Sequence, residues 1–203
     1  MVSFFRAILS GILFLTILSS AEAQRSFYYG PRIGLCFSSF VGPNPRTTNF
    51  PVGAIIGMYG ELKVTEKFSL QQDLLYTSAG SNYAFTSQPE SHYKVSLTYL
   101  SFPMHADFKL IHNLHLQAGI QGSVLVSALT NMTNMGTIVK QDNLDGYNHV
   151  DYGPSAGISY EFTNGLNVSV RAYRGLKPVW KNTSGNELYN TYLQCLVGYR
   201  FGK

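Results

Sequence analysis

The chain has 203 residues, of which 45% are hydrophobic and 13% are charged, and its formal net charge at pH 7 is +4. This length fits a single domain. The mild positive charge comes without any block of Lys or Arg residues, so the composition does not indicate nucleic acid as a partner.

The first 23 residues have the pattern of a signal peptide that is cleaved on export. A short segment ending at Arg6 precedes a nearly unbroken apolar run, and Ala21-Glu22-Ala23 has the small-x-small form of a cleavage site. The run is shorter than the roughly 20 apolar residues that a membrane-spanning helix needs. We therefore predict a cleaved signal peptide at residues 1–23 and a single mature domain at residues 24–203. No second long apolar run follows, so insertion of the mature domain into a membrane would require strands.

The mature domain begins with three segments in which apolar and polar side chains alternate. Alternation with a period of two predicts β-strands that have one apolar and one polar face. Two prolines interrupt the connection after the first strand, whereas only the short turn Thr65-Glu66-Lys67 follows the second. The predicted strands are Tyr29 to Val41, Val52 to Val64 and Phe68 to Ser78.

The fourth predicted strand, Tyr93 to Leu110, does not keep one parity. Its apolar residues lie at odd positions as far as Tyr99 and at even positions from Leu100 to Phe108. Such a change within one strand indicates a β-bulge, or an extension of the strand beyond the membrane on the loop side. We therefore predict one of these two irregularities near Tyr99 and Leu100.

The clearest pattern is the hairpin from Val150 to Tyr173. Its two limbs alternate regularly on both sides of the turn Thr163-Asn164-Gly165, and Asn-Gly readily adopts the positive φ angles of a short hairpin loop. One face is apolar and the other carries Gly, Ser and single charges, which suits a narrow interior. The later predicted strands are Leu114 to Val126, Val150 to Phe162, Leu166 to Tyr173 and Leu188 to Phe201.

The eight predicted strands are joined by loops that alternate between long and short. Outer-membrane barrels have an even number of strands, short periplasmic turns, longer external loops and two aromatic belts, and this chain contains 14 Tyr and 13 Phe. The sequence therefore predicts an all-β fold, an eight-stranded antiparallel up-and-down transmembrane β-barrel that contacts outer membrane lipid. The alternative is a soluble calyx that carries a small ligand, which would need apolar residues inside and polar residues outside.

Several motifs resemble one known family. They include the pair Gly53 and Gly57, "TYLSFPMHADFKL" at Thr98 to Leu110, "DYGPSAGISYEF" at Asp151 to Phe162 and the closing "VGYRF" at Val197 to Phe201. Their order and spacing are similar to the PorT-like outer membrane β-barrel family of Gram-negative bacteria. The resemblance covers essentially the whole mature chain and implies a location in the outer membrane.

The end of the chain also resembles that of related barrels. This resemblance implies that Tyr199 and Phe201 form part of the signal that the barrel assembly machinery recognises. Gly202 and Lys203 follow the terminal aromatic residue, which departs from the family pattern of a chain that ends on Phe.

Charged residues on the predicted inner face are expected to pair with one another. An eight-stranded interior is just wide enough for side chains to fill it, and unpaired charges are costly to bury. We therefore predict a barrel with no open pore and a polar network in its lumen. The predicted members are Arg32, Glu61, Asp73, Asp107, Glu161, Arg171 and Arg200.

The sequence contains no recognisable catalytic, cofactor-binding or metal-binding set. A lipid-modifying outer membrane enzyme is a further alternative, with His92 or His149 beside serine and aspartate residues, but the spacing predicts no nucleophile-base-orienter arrangement. The other three histidines lack metal-ligand spacing. We therefore predict no enzyme and no cofactor, and a structural or surface-interaction role in which four long external loops contact an unidentified surface partner.

The two cysteines, Cys36 and Cys195, fall in the first and last predicted strands, which closure of a barrel makes neighbours. Their parities place the Cys36 side chain inside and the Cys195 side chain outside, which disfavours a disulfide without excluding one.

Overall fold

The structure, a computed structural model, describes residues 26–42, 47–85, 88–134, 137–142, 144–181 and 187–202. The predicted signal peptide lies outside these residues. The described chain forms ten β-strands and a short 3₁₀ helix, Leu144–Gly146. The strands are β1 (Phe27–Val41), β2 (Thr47–Asn49), β3 (Val52–Lys63), β4 (Phe68–Phe85), β5 (Gln88–Ile111), β6 (Leu114–Asn134), β7 (Thr137–Asp142), β8 (Val150–Glu161), β9 (Leu166–Pro178) and β10 (Tyr189–Tyr199).

Eight of these strands form a closed antiparallel ring, the predicted up-and-down barrel. The order around the ring is β1, β3, β4, β5, β6, β8, β9 and β10, so each strand pairs with its neighbours along the chain. The ring closes where β1 pairs with β10, from Arg32↔Gly198 to Val41↔Tyr189. The two short strands lie outside the ring, with β2 paired to β4 and β7 paired to β6. The eight-stranded barrel fold is therefore confirmed.

The two ends of the barrel differ in the length of their connections. At one end, here called the turn end, short turns join β3 to β4, β5 to β6 and β8 to β9. Two residues in these turns have positive φ angles, Gly165 at 87° and His112 at 44°. The other end, here called the loop end, carries the connections between β1 and β3, β6 and β8, and β9 and β10, and the tip of the long β4–β5 hairpin.

Strands near the loop end are longer than predicted. The third predicted strand ends at Ser78 and the segment after it is predicted to be a loop, but β4 continues to Phe85. Its register with β5 runs without a shift from Ser78↔Thr98 to Ala84↔His92. Pairing continues after the apolar alternation ends, because a ladder of backbone hydrogen bonds outside the membrane needs no apolar face.

The ladder between β5 and β6 has a β-bulge opposite Thr98 and Tyr99, close to the predicted position, but the extra residue belongs to β6. Thr98 pairs with Ser127 and Tyr99 pairs with Leu125, so the extra residue is Val126 of β6. The odd-numbered residues of β5 from Val95 to Asp107 are all buried and face the lumen, including Leu97 and Tyr99. The change of parity in the sequence therefore has another cause: the inner face of β5 is apolar near the loop end and polar further on.

The outer face of the ring carries large exposed apolar side chains. In β8, Tyr152 and Tyr160 are 53% and 40% exposed. The strand between them spans about 20 Å of height at a typical barrel tilt, close to the apolar band of about 25 Å in outer-membrane barrels. No helix in the described part of the chain is long and apolar enough to cross a membrane. Aromatic pairs with ring centroids 4.9 Å apart mark the turn end: Tyr160–Phe162, Tyr199–Phe201 and Phe68–Phe108.

The position of Ala156, midway between Tyr152 and Tyr160 on the exposed face of β8, gives a test of the lipid face. We expect Ala156→Arg to lower the free energy of folding into lipid vesicles by about 2–4 kcal/mol, because a charge near the middle of the lipid face is poorly solvated. The matched variant Ala156→Leu should fold as the wild type does. Denaturant titrations in vesicles measure both effects, and equal stability of the two variants would contradict the assignment.

Candidate functional site

The centre of the barrel interior is an ionic cluster around Asp73 of β4. Arg32 of β1 donates from Nη1 to both carboxylate oxygens, at 3.1 and 3.0 Å. Arg171 of β9 pairs with the same carboxylate through its own Nη1, and Gln71 donates to Oδ1 at 2.7 Å. Both ion pairs are almost completely buried, with the Asp73 side chain 0% exposed. One carboxylate therefore links strands from opposite parts of the ring.

The two arginines extend this cluster across the lumen. Arg32 donates from Nη2 to Asn167 Oδ1 at 3.0 Å, and its guanidinium carbon lies 4.0 Å from the centre of the Tyr59 ring. Arg171 donates from Nε to Gln117 Oε1 at 2.8 Å. This layer therefore joins side chains from β1, β3, β4, β6 and β9.

A second polar layer lies closer to the turn end. Gln117 Nε2 donates to Asp107 Oδ2 at 2.8 Å, and Asp107 Oδ1 lies 2.5 Å from Nδ1 of His115. Glu161 pairs with Arg200, and its carboxylate is 4.0 Å from Nε2 of His115. This layer is less buried than the Asp73 cluster, because the Arg200 and Glu161 side chains are 26% and 22% exposed.

The seven charged residues predicted from the sequence occupy these two layers. Six of them join one connected set of contacts, whereas Glu61 makes a separate contact with the hydroxyl of Ser69 at 2.6 Å. The predicted network did not include the amide side chains and the histidine that connect these charged residues. The omitted residues lie on the inner faces of their strands, as the predicted charged residues do, and this parity could have identified them. These members are Gln71, Gln117, Asn167 and His115.

The loop half of the lumen is filled by apolar and aromatic side chains. The sequence placed Cys36 inside the barrel but did not predict that this half of the lumen is mainly apolar. The rings of Tyr173 and Tyr192 stack with centroids 4.5 Å apart. These residues lie on the same strands as the polar ones, at positions of the same parity but nearer the loop end. The cluster includes Cys36, Phe40, Ile55, Leu75, Leu97, Tyr99, Leu125, Tyr173, Tyr192 and Leu196.

Polar groups inside this apolar half bond to one another. Asn190 donates to Asp151 Oδ2 at 2.8 Å and to the Tyr99 hydroxyl at 3.0 Å. Gln121 donates to the Tyr192 hydroxyl at 2.7 Å. These bonds satisfy the Tyr99 and Tyr192 hydroxyls and the Asn190 side-chain N–H groups in surroundings where an unpaired polar group would be costly.

Of the two histidines considered as catalytic candidates, His149 is the one whose side chain the structure describes, and its hydrogen-bond partner is a backbone carbonyl. The side chain of His92 lies outside the part described, and His149 is exposed with Nε2 3.2 Å from the carbonyl oxygen of Leu144. Ser155 instead lies 3.0 Å from Nε2 of His105, whose Nδ1 has no partner among the described atoms. In the residues that the structure describes, no cluster of His, Cys, Asp or Glu could hold a metal ion.

Two connections at the loop end close over the apolar half and form what is here called the cap, residues 144–149 and 179–181. Tyr147 forms a β-bridge with Trp180, and the side-chain amide of Asn148 donates to the carbonyl oxygens of Pro178 and Trp180 at 2.8 and 3.2 Å. The Trp180 ring packs edge-on against Phe40 of β1, with centroids 5.2 Å apart. The cap therefore rests directly on the apolar filling of the lumen.

The two cysteines lie on opposite faces of the wall. Cys36 is fully buried in the lumen, Cys195 is partly exposed on the outer face, and both are free thiols. Leu35 rather than Cys36 is the partner of Cys195 in the β1–β10 ladder.

Comparisons with known proteins identify relatives of this architecture. A family model described as outer membrane protein beta-barrel domain matches residues 19–181. The crystal structure of Ail, the attachment invasion locus protein of Yersinia pestis, is 10% identical with a TM-score of 0.52, and the match covers 86% of this chain and 98% of Ail. Neisserial surface protein A is 14% identical with a TM-score of 0.51, and the match covers 88% and 100% of the two chains. These likenesses are of fold, and no curated protein sequence matches the chain significantly.

The Asp73 cluster makes a strong prediction about stability. Asp73→Asn leaves two buried guanidinium groups facing each other without a counter-charge, and breaking a buried ion pair typically costs about 3–5 kcal/mol. We expect a loss of this size in denaturant titrations of the refolded barrel. Asp145→Asn, an equal change of charge at an exposed loop position, is the control and should be close to neutral. Similar losses for both variants would contradict the structural role of the cluster.

Proposed function

Because the chain belongs to the family of outer membrane protein beta-barrel domains and lies in the outer membrane of a Gram-negative bacterium, we propose that it is a barrel without an open pore. It has a structural or surface-interaction role through four long external loops. Its partners are outer membrane lipid, the barrel assembly machinery and a surface partner that the loops contact. It is not an enzyme and needs no cofactor.

The observation that carries this proposal is the filling of the lumen. The Arg171 side chain and its partner Asp73 are both 0% exposed in the middle of the ring, and the apolar half and the cap lie above them. An eight-stranded barrel leaves room for side chains and little else. A continuous water path would have to pass both the ionic cluster and the packed aromatic rings.

The asymmetry of the two ends supports the orientation. Outer-membrane barrels have short periplasmic turns and longer external loops, so the turn end faces the periplasm in this proposal. The cap then faces the cell exterior. A surface partner would meet the loop end, where the β4–β5 hairpin extends past the ring.

The finer family assignment also belongs to this proposal. We infer a PorT-like member of the family from the motif order along the mature chain, and we infer that Tyr199 and Phe201 are read by the assembly machinery. Their side chains are 42% and 47% exposed on the outer face at the turn end, which leaves them accessible before insertion is complete.

A soluble calyx is the weaker candidate. It would need an apolar lumen that cradles a ligand and a polar exterior. Here the outer face exposes Ile33, Ile56 and Ile120 at 59–61%, and the half of the lumen near the turns is ionic. Burying such an exterior requires lipid.

Conductance measurements test the absence of a pore. Planar-bilayer recordings of the purified mature protein should show no stable steps. The Trp180→Ala variant, which removes the largest side chain of the cap, should also be silent, because the Asp73 cluster still fills the lumen below it. Reproducible ion-selective channels in the wild type would contradict the proposal that the barrel has no open pore.

The role of the last strand can be tested in cells. We expect Phe201→Ala to lower the amount of assembled, heat-modifiable barrel several-fold while export to the periplasm continues. Phe162→Ala removes an aromatic ring that is 40% exposed at the same end but outside the last strand, and it should assemble nearly normally. Equal yields of the two variants would argue against an assembly signal at Phe201.

A further inference from the structure

Arg174 is a cationic residue on the lipid-facing side of the barrel. It shares the outer face of β9 with Val170, Ala172 and Leu176, which are all exposed. Leu176 is 57% exposed and lies two residues closer to the loop end than Arg174. The Cα atom of Arg174 therefore lies inside the apolar band, near its loop-end edge.

The guanidinium of Arg174 is held by two neighbours on β10. It donates from Nη1 to the hydroxyl of Thr191 on β10 at 2.8 Å. Its central carbon lies 5.5 Å from the centre of the Tyr189 ring, further along β10 toward the loops. A long cationic side chain that starts within the apolar band can place its charge at the headgroup level in this way.

Among the described residues, Arg174 takes part in no ion pair with a carboxylate. Glu187 is near, but its carboxylate accepts a hydrogen bond from the Tyr189 hydroxyl at 2.5 Å. A guanidinium has five N–H donors, and the contacts above use one of them. Four donors are therefore left for a ligand.

Two more cations follow Arg174 along the chain toward the loop end. Lys177 is half-buried at the end of β9 and Lys181 is exposed in the cap, and neither is in an ion pair of the described chain. No Asp or Glu occurs between Leu166 and Lys181. Lys177 has the parity of the inward-facing Arg171 and Tyr173, so Arg174 is the cation that β9 places on its lipid-facing side.

We propose that Arg174 binds the phosphate group of a lipid headgroup in the leaflet that faces the loop end. The planar guanidinium fork matches phosphate oxygens and forms charge-assisted hydrogen bonds with them. The lipid chains pack on the apolar face of β9 directly below. The assignment to the outer leaflet rests on the orientation given under the proposed function, whereas the phosphate site itself does not.

Lipid titrations monitored by native mass spectrometry test the site. Purified mature protein in neutral detergent is titrated with phosphatidic acid, with diacylglycerol of the same chains, and with inorganic phosphate alone. We expect tight retention of phosphatidic acid only. Arg174→Gln should weaken its binding about five-fold, since each Lys or Arg near a lipid surface contributes about 1 kcal/mol, and Arg174→Lys should weaken it less.

The control variant is Lys67→Gln, which removes the same charge from an exposed position at the turn end. Its affinity for phosphatidic acid should match that of the wild type, and heat-modifiable migration verifies that every variant is folded. Equal affinities of Arg174→Gln and the wild type would overturn the proposal. An equal loss in Lys67→Gln would show a general effect of net charge, and equal retention of inorganic phosphate would show a free-anion site. Either result would also overturn it.

Cysteine labelling in intact cells tests the orientation of the barrel independently of the phosphate site. Lys181→Cys should react with a membrane-impermeant maleimide in intact cells, and Lys67→Cys should not; the native Cys36 is buried and Cys195 faces lipid. The reverse labelling pattern would overturn the outer-leaflet assignment and the external loops together. The titration in detergent decides the phosphate site in either case.

Discussion

Closure of the β1–β10 ladder is the constraint on which the rest of this barrel depends. Within the hydrocarbon of a membrane no water can satisfy an open strand edge, so each backbone N–H and C=O must find a partner in a neighbouring strand. The first and last strands provide this from Arg32↔Gly198 to Val41↔Tyr189. Once eight strands close, the radius is fixed, and every inward side chain has to fit a lumen of that width.

The narrow lumen explains where glycine is needed on the inner face. A Cβ atom built on Gly157 would lie 2.3 Å from the backbone oxygen of Val170 and 2.8 Å from Cγ of Arg171. The absence of a side chain at this position lets the Arg171 stem lie against β8 and its guanidinium reach Asp73 on β4. An alanine there would push against the one cation that contacts both Asp73 and Gln117.

The sequence was sufficient for the strands and the lipid face, because period-two alternation reports which side of a strand meets an apolar environment. It was insufficient for the interior of the loop half. Val95, Leu97 and Tyr99 are apolar and face inward, so alternation there no longer separates the two faces of β5. The register does shift at Thr98 and Tyr99, but the extra residue belongs to β6. The strand ends beyond Ser78 and Val126 were missed for a related reason, since paired strands in water need no apolar side. The pairing of charged side chains across the lumen depends on the geometry of the closed barrel. Apolar–polar alternation along one strand gives no information about this pairing.

The ionic and apolar halves of the lumen contribute differently to the stability of the barrel. A buried cluster such as Arg32–Asp73–Arg171 adds little net stability compared with a well-packed apolar core, because desolvation offsets most of the attraction. Its contacts are directional, however, and they join β1, β4 and β9 in a single arrangement. The apolar half and the cap contribute burial and keep water from the ionic layer on the loop side, which strengthens the attraction between its charges. Water can approach that layer from the turn end, where the Glu161–Arg200 pair is partly exposed. The cluster therefore adds directional contacts between strands that the closed ring already places opposite each other, while the packed half supplies the favourable energy.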